Sequence, residues 1–449
     1  MTSLLWFRQD LRLADHPALL AAVEQGPTAC LYVLDDDTPG HWRIGGAQRW
    51  WLHHSLASLA HSLEAIGGNL ILRRGPAAAT VAAVADELCA TSIHATRHAE
   101  PWWRAADADL GDRVTLHDGD TLVASERVVT GGGTPFKVYG PFYTALTHHL
   151  PPPEPRPAPH RIEPPAKVIE SDRLDDWHLL PTRPDWATGF TDWHPGESGA
   201  AANLADFADR VVGYQTDRDR PSVEGTSRLS PYLHHGEMSP RQVWHALHGT
   251  GGDKFLKELA WRDFSRSAIL AQPGLGDVNG RPGMNGLQWR TGPPADADFA
   301  AWTKGRTGYP IVDAGMRQMW TTGWMHNRVR MITASFLVKH LLIDWRRGER
   351  WFWDTLVDAD YGNNSLNWQW IAGTGSASQP FFRIMAPLAQ SAKFDAADYI
   401  REWLPELATL SDPDIHDPVF RPADYPQPLI GHREARDRAL STLANARTG

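Results

Sequence analysis

The first third of the chain alternates short apolar runs with segments whose apolar residues recur at helical spacing. Leucines at 52, 56, 59 and 63 fall on one face of a helix, and residues 78–88 form a second amphipathic run. Short continuous apolar runs are typical of strands that are buried on both faces. Such runs predict strands at residues 4–7, 30–34, 70–72, 92–95 and 114–116. Because strands and helices alternate, we predict an α/β domain with a doubly wound, parallel, five-stranded sheet.

A proline-rich connector follows this domain. Three glycines at 131–133 interrupt the pattern, and prolines at 151, 152, 153 and 155 exclude regular helix or central strand there. From about residue 204 onward helical periodicity dominates and strand signals fade. We therefore predict an α/β domain over residues 1–130, a linker over 131–195 and an all-α domain over 196–449.

Composition narrows the class of protein. The chain has 449 residues, 21 tryptophans and a formal net charge of −9. Its only two cysteines, Cys30 and Cys89, exclude a disulfide framework, a four-cysteine iron–sulfur cluster and a cysteine-rich zinc site, and they favour a reducing, cytoplasmic setting. No His/Asp/Glu set recurs at zinc spacing, so we predict no metal. No apolar run reaches the length of a membrane span and no signal-peptide core opens the chain, so we expect no membrane association.

The most unusual segment spans residues 358–370. Two carboxylates, Asp358 and Asp360, precede a turn-like Gly-Asn-Asn sequence, and two tryptophans, Trp368 and Trp370, follow it. Glycine and asparagine suit a turn, but a turn requires neither the acids nor the indoles. The mixture suits a large, flat, hydrogen-bonding aromatic ligand that exchanges electrons.

A second segment, residues 225–233, places three hydroxyls around Arg228. Ser230 before Pro231 is a typical helix N-cap. The same hydroxyls, with the free N–H groups of a helix N-terminus, also suit a phosphate. Capping and phosphate binding therefore both remain open at this point.

Helical spacing brings together two further sets of side chains. Glu258, Trp261 and Arg262 lie at i, i+3 and i+4, which fits either a surface ion pair beside a core tryptophan or a ligand contact. Asn327 and Met331 are likewise one helical turn apart. Neither set is specific by itself.

In order and spacing, these segments resemble the photolyase/cryptochrome family. Within it they are most similar to the cyclobutane pyrimidine dimer DNA photolyases of class I or a closely allied bacterial group. The matching motifs span nearly the whole chain and are residues 6–12, 226–233, 261–264, 308–314, 323–331 and 358–370. The resemblance implies a helical domain that holds a U-shaped, fully reduced FAD and a light-dependent lyase that acts on DNA containing pyrimidine dimers. We expect a monomer.

The resemblance also implies which residues contact FAD. Matches to FAD-contacting positions, several of them around the phosphates, are Tyr214, Thr226, Ser227, Arg228, Leu229 and Ser230. Matches to positions around the flavin are Arg262, Asn327, Arg330, Asp358, Asp360, Asn364 and Trp368. Asn364 corresponds to the amide opposite flavin N5, and the pair of Arg330 and Asp358 would stabilise an anionic reduced flavin.

For the lesion, the resemblance implies that the dimer is flipped out of the stack into a pocket. Glu258 corresponds to the carboxyl that bonds to the dimer and steadies its radical anion. The two indole walls of the pocket correspond to Trp261 and Trp370. The other side of the pocket corresponds to Asn327 and Met331. Contacts with the DNA phosphates beside the lesion correspond to Arg218 and Arg328. The expected chain of tryptophans that reduces oxidised flavin is Trp368, Trp345 and Trp289.

The α/β domain of the family usually holds an antenna chromophore, a folate or a deazaflavin. Glu100 matches an acidic antenna contact. The indoles that crowd the expected pocket belong to Trp42, Trp50, Trp51, Trp102 and Trp103. They could stack on a chromophore or close the cavity, and both readings remain open.

Three other functions compete with dimer repair. A cryptochrome-type photoreceptor shares the fold and FAD but signals instead of repairing. A (6-4) photolyase carries histidines where this chain has Asn327 and Met331. A nucleotide-binding α/β domain fused to a tryptophan-rich helical scaffold would be colourless when purified.

Overall fold

The computed structural model describes residues 2–376 and 381–448. By packing, the chain divides into two compact units. The first consists of Met1–Trp186, Thr191–Val211 and Ser227–Pro273, and the second of Ala187–Phe190, Val212–Thr226 and Gly274–Gly449. The first unit therefore contains the sheet together with several helices from the part of the chain that we expected to be all-α.

Five parallel strands form the sheet of the first unit. They are β1 Thr2–Phe7, β2 Thr28–Leu34, β3 Leu70–Arg74, β4 Ala90–Thr96 and β5 Val114–His117. Their order is β3-β2-β1-β4-β5, and every neighbouring pair is parallel. The strand order reverses beside β1, and the carboxyl ends of strands at such a switch point are where α/β sheets bind ligands. The predicted doubly wound sheet is confirmed.

Helices cover both faces of this sheet, which explains why its strands are continuously apolar. The covering helices are α1 Pro17–Gln25, α2 Gly46–Ala65, α3 Ala77–Leu88 and α4 Pro101–Leu110. Leu5 and Phe7 of β1 join one apolar cluster with the leucines of α2. Leu4 and Trp6 join another with Val81 of α3. Successive strand residues point to opposite faces, so each face requires its own apolar partners.

The segment predicted as a linker packs along the first unit. It contains one α-helix, α5 Tyr139–Thr147, and a short 3₁₀ helix, Leu174–Trp177. Further on, the N–H of Ile162 donates to the carbonyl of Ile66 at 2.8 Å, and the N–H of Asp172 donates to the carbonyl of Leu72 at 2.9 Å. Ile162 is fully buried in the apolar cluster of α2. Residues 151–173 form no helix or strand, yet these bonds keep them packed on the first unit.

The remaining helices confirm the all-α character of the second half. They are α6 Glu197–Arg210, α7 Tyr214–Asp217, α8 Ser230–His235, α9 Pro240–Leu247, α10 Asp253–Ala271, α11 Pro293–Thr303, α12 Pro310–Thr322, α13 Asn327–Ser335, α14 Trp345–Thr355, α15 Tyr361–Ala372, α16 Pro387–Lys393, α17 Ala397–Trp403, α18 Asp412–His416 and α19 His432–Thr448. Helices α6, α8, α9 and α10 belong to the first unit, and the others belong to the second. Among the described residues, no helix combines the length and apolarity needed to cross a membrane.

A widened π-helical turn, Phe336–His340, follows α13. The N–H of Leu341 donates to the carbonyl of Phe336 at 3.0 Å, which is the i+5 bond of such a turn. Lys339 within it is fully buried and donates to the carbonyl of Phe381 at 2.8 Å. Burial lowers the pKa of Lys339 well below its usual value.

Candidate functional site

Helix α10 carries the two side chains expected to meet the lesion. Glu258 and Trp261 lie one turn apart and are both partly exposed. The Nζ atom of Lys254 is 3.6 Å from the Glu258 carboxylate. The Trp261 indole stacks face to face on Tyr139, with ring centroids 3.6 Å apart and planes 3° apart. A carboxylate beside a flat indole suits a flat, hydrogen-bonding base.

Arg262, the next residue along α10, is buried inside the first unit. Its guanidinium donates to the carboxylate and to the backbone carbonyl of Asp120. Arg266 donates to the same carboxylate at 2.7 Å. Burial by itself raises the pKa of Asp120, but the two guanidiniums hold that pKa well below its usual range. Arg262 is thus engaged by Asp120, and its contact with the flavin stays a prediction.

The segment expected to hold phosphates has an uncommon backbone conformation. Arg228 has a φ of 51°, in the left-handed region that residues with side chains rarely adopt. Ser227 Oγ accepts a hydrogen bond from the Leu229 N–H at 3.2 Å. The N-cap role predicted for Ser230 is wrong by one residue, because Leu229 occupies the cap position and its carbonyl accepts the N–H of Leu233 at 3.0 Å. Strain of this kind is concentrated at binding sites.

Three of the expected contacts lie on a neighbouring stretch in the second unit. Tyr214 begins α7 and is buried, and the guanidinium of Arg218 lies 5.2 Å from its ring centroid. Thr226 is half-buried. Stacking on the tyrosine ring helps to fix the orientation of the Arg218 guanidinium, whose Nε also lies 3.8 Å from the Asp219 carboxylate. The contacts of these residues with FAD and DNA stay predictions.

Helix α13 places Asn327 and Met331 one turn apart. Its start is fixed by His326, whose Nδ1 accepts a hydrogen bond from the Arg328 N–H at 3.2 Å. Burial lowers the pKa of His326 to about 4, so the ring is neutral and can accept. Asn327 is exposed and Met331 is half-buried. Arg328 forms an ion pair with Asp219 at 2.7 Å.

Arg330 and Asp358, which the resemblance paired, form a bidentate ion pair. The two terminal nitrogens of Arg330 donate to the two carboxylate oxygens at 3.0 and 2.8 Å. The Nε of Arg330 donates to the carbonyl of Met325 at 2.8 Å. Three fixed bonds give the guanidinium a single orientation. Its position beside a flavin stays a prediction.

The turn read into residues 362–364 is wrong, because these residues form the first turn of α15. Asp360 is the N-cap of that helix, and its Oδ1 accepts the N–H of Asn363 at 2.7 Å. Capping by Asp360 outweighs the turn preference of glycine and asparagine. On this helix Trp368 is 2% exposed, whereas Trp370 is half-buried. Two residues on a helix are about 200° apart, so the indoles face different surroundings.

Asn364 is oriented by a residue that the sequence did not single out. Its Nδ2 donates to the side-chain Oε1 of Glu349 at 3.0 Å and to the Glu349 backbone carbonyl at 3.1 Å. Glu349 is fully buried, and burial raises its pKa well above the usual value. The only sequence signal was a glutamate within an arginine-rich stretch, which is typical of a solvated face.

The three tryptophans expected to carry electrons are all in the second unit. Trp345 is fully buried, and its Nε1 donates to Asn279 at 3.0 Å. Trp368 packs edge-on against Trp302, with centroids 6.3 Å apart. Trp289 packs against the apolar cluster that includes Leu342 and Leu443. Core packing accounts for these contacts, and the electron-transfer roles stay predictions.

The indoles expected around an antenna differ in their burial. Trp42 and Trp51 are buried in the first unit, and the Nε1 of Trp51 donates to Glu237 at 3.1 Å. These two indoles are therefore part of the core. A cavity of about 540 Å³ lies beyond the ends of β4 and β5, and its lining includes His98, Asp118, Gly119, Asp120 and Arg266 but none of the five indoles.

The second unit offers the groups that a flavin requires. Both N–H groups of Asn364 are used by Glu349, and its Oδ1 makes no hydrogen bond within the described part of the chain, so an acceptor remains for a ligand. The ion pair with Asp358 holds the Arg330 guanidinium in one orientation. These residues fit FAD. No group of three or more His, Cys, Asp or Glu side chains among the described residues is placed to hold a metal ion.

Comparison with known proteins agrees with this geometry. Two family models match, "DNA photolyase" over residues 3–160 and "FAD binding domain of DNA photolyase" over residues 255–445. A relative named deoxyribodipyrimidine photo-lyase, from Agrobacterium fabrum, is 44% identical over 98% of this chain and 97% of its own length. Cryptochrome-1 of Arabidopsis thaliana is 34% identical over 98% of this chain and 70% of its own length.

A solved structure shares the fold along the whole chain. It is described as a bacterial class III photolyase from Agrobacterium tumefaciens, has a TM-score of 0.94 and 44% identity, and is matched over 100% of this chain and 98% of that one. Sheet order, FAD-binding motifs and these relatives lead to one conclusion: the chain belongs to the DNA photolyase family, within the wider group that includes the cryptochromes.

Proposed function

We propose that this chain is a light-dependent DNA repair enzyme, a deoxyribodipyrimidine photo-lyase that splits cyclobutane pyrimidine dimers with reduced FAD. The observation that carries the proposal is the pairing of Glu258 with Trp261 on the partly exposed side of α10. A photoreceptor would need neither a carboxylate nor an indole for a base there. The name of the 44% identical relative supports the same activity.

When bound, FAD supplies the light absorption and the electron that opens the cyclobutane ring. Glu258 would donate or accept a hydrogen bond at a pyrimidine carbonyl and steady the negative charge that develops there. Trp261 and Trp370 would hold the flipped dimer by stacking. Asn327 and Met331 would border the dimer with an amide and a polarisable thioether.

Other residues would hold the cofactor in place and supply it with electrons. Glu349 accepts hydrogen bonds from the Asn364 amide, and the Oδ1 of Asn364 would then be the group that faces the flavin. The ion pair of Arg330 and Asp358 would favour an anionic flavin. Phosphate contacts would come from the segment 226–230. Trp368, Trp345 and Trp289 would pass electrons inward from the surface.

The finer assignments are also proposals. We infer a monomer in a reducing, cytoplasmic setting that binds dimer-containing DNA. The motifs indicate class I or a closely allied bacterial group, and the 44% identity to a class III enzyme supports the allied group. Glu100 would contact a folate or deazaflavin antenna, and the half-buried indoles of Trp50, Trp102 and Trp103 would either stack on that chromophore or close its cavity.

The test begins with the absorption spectrum of the purified chain. Bound flavin is expected, and its absence would overturn the proposal. The photoreduced protein is then illuminated with separate oligonucleotides that carry a cyclobutane dimer or a (6-4) product. Repair of the first alone is expected. Flavin without repair of either would indicate a cryptochrome-type photoreceptor, and repair of the second would indicate a (6-4) photolyase.

A variant separates the chemical role of Glu258 from binding. Glu258→Ala is expected to lower the quantum yield of repair more than the affinity for dimer-containing DNA, because the carboxyl acts on charge that develops during the reaction. Glu258→Gln keeps a hydrogen-bonding side chain of the same size. Its quantum yield should therefore lie between that of the unchanged protein and that of Glu258→Ala. Equal losses in yield and affinity for Glu258→Ala would contradict the role.

A further inference from the structure

Tyr139 forms an unusually close stack with Trp261. The centroids are 3.6 Å apart and the planes differ by 3°, so the two rings overlap almost completely. Aromatic pairs ordinarily prefer offset or edge-on arrangements, with centroids 4.5–7 Å apart. One face of the Trp261 indole is therefore covered by protein, and a base can stack only on the other.

The Tyr139 ring is itself held from several directions. Its hydroxyl donates to the backbone carbonyl of Lys257, on α10, at 3.1 Å. Tyr143, one turn along α5, packs on it with centroids 5.7 Å apart and planes 21° apart. Phe264 meets both Tyr139 and Trp261 edge-on, at 5.8 and 5.7 Å. The ring is thus tied to the helix that carries Trp261 as well as to its own helix.

We propose that Tyr139 is a positioning residue for lesion recognition, which fixes the plane of the Trp261 indole before DNA binds. The inference rests on the proposed function, since it assumes that Trp261 contacts the flipped dimer. Trp261 is 36% exposed, and an indole so exposed would otherwise sample several rotamers. Ordering such a side chain on binding weakens affinity, whereas a preformed wall avoids that loss.

The test measures the affinity of FAD-loaded full-length protein, in the dark, for one oligonucleotide with and without a cyclobutane dimer. Tyr139→Ala is expected to weaken binding of the dimer-containing DNA about two- to tenfold, the range for loss of one aromatic pair. Binding of the undamaged DNA should not change. Repair per bound dimer should stay near the starting value, because Tyr139 does not touch the reacting atoms.

Two further variants show whether Tyr139 acts through its ring and through Trp261. Tyr139→Phe keeps the ring and loses only the hydroxyl, so it should restore binding to within about twofold. In a double-mutant cycle, Tyr139→Ala should add nothing to the loss caused by Trp261→Ala. Additive losses, or equal losses for damaged and undamaged DNA, would overturn the inference.

The same variants separate this inference from the proposed function. If Trp261→Ala leaves dimer binding unchanged, the lesion contact itself is wrong. If Trp261→Ala weakens binding and Tyr139→Ala does not, only the role of Tyr139 fails. Thr144→Ala changes an exposed side chain of the same helix and leaves every ring around Tyr139 in place, so it serves as the control for helix stability. Should Tyr139→Ala melt several degrees lower than this control, Tyr139→Leu, which keeps apolar bulk, takes its place.

Discussion

Gly348 on α14 occupies a position where even one methyl group would not fit. A Cβ atom there would lie 2.2 Å from Cη2 of Trp368 and 2.5 Å from Cδ2 of Leu337. Trp368 is 2% exposed and Leu337 is fully buried, so neither side chain has free space to move into. The change Gly348→Ala therefore tests both the packing around Trp368 and the proposal that this indole carries electrons.

The expected change in the free energy of unfolding is the difference between two opposing contributions. Alanine favours a helix interior over glycine by about 0.5–1 kcal/mol. Overfilling a well-packed core costs about 1–3 kcal/mol. We expect a net destabilisation of roughly 1–2 kcal/mol, which lowers the Tm by about 2–8 °C in a unit of this size.

Gly140 provides a matched control. It also lies inside a helix, α5, but a Cβ there would meet nothing within 4 Å. Alanine gains helix propensity there, but Pro141 follows and disfavours helical backbone in a residue with a Cβ, so Gly140→Ala should change the stability by less than about 1 kcal/mol. Thermal unfolding followed by circular dichroism compares the two variants, and photoreduction of the bound flavin should slow only in Gly348→Ala. A higher Tm for Gly348→Ala would show that the core around Trp368 and Leu337 has room for a methyl group, which would contradict the expected clash.

Three more changes test single contacts. Burial raises the pKa of Glu237 to about 8, so the folded chain keeps a proton that the unfolded chain releases above about pH 4.5. The free energy of unfolding should therefore fall as the pH rises from 4.5 to 8. Urea titrations should show that Glu237→Gln flattens this part of the pH profile. Burial lowers the pKa of His326 to about 4, so stability should fall as the pH drops from 6.5 to 4, and a profile unchanged by His326→Asn, which can still cap α13, would contradict this. Asp358→Asn removes the charge that pairs with Arg330 and should lower the ratio of flavin to protein absorbance after gel filtration, and full retention of FAD would show that the pair is not needed.

The strands were predictable because their signal is local. A strand buried on both faces must be continuously apolar, and every strand of the sheet lies within two residues of its expected start. The position of Asn327 and Met331 one turn apart on α13 was predictable for the same reason, because helical spacing alone determines it.

Contacts between distant residues were not predictable. Arg262 is held by Asp120, 142 residues away, and Asn364 by Glu349, 15 residues away. Nothing in the local pattern distinguishes these acids from solvated ones, because only burial changes their energetics. The start of α15 was missed because a capping aspartate and a turn-forming Gly-Asn-Asn sequence compete, and the cap at Asp360 prevails in the structure.

The widened turn Phe336–His340 requires a fixed number of residues between α13 and Trp345. Its i+5 hydrogen bond accommodates one residue more than an α-helical turn would. Deleting a single residue there would restore regular winding and rotate everything downstream by about 100°. The rotation would carry Trp345 away from Asn279, its 3.0 Å partner. Natural variants of this chain should therefore accept substitutions within the turn far more readily than insertions or deletions.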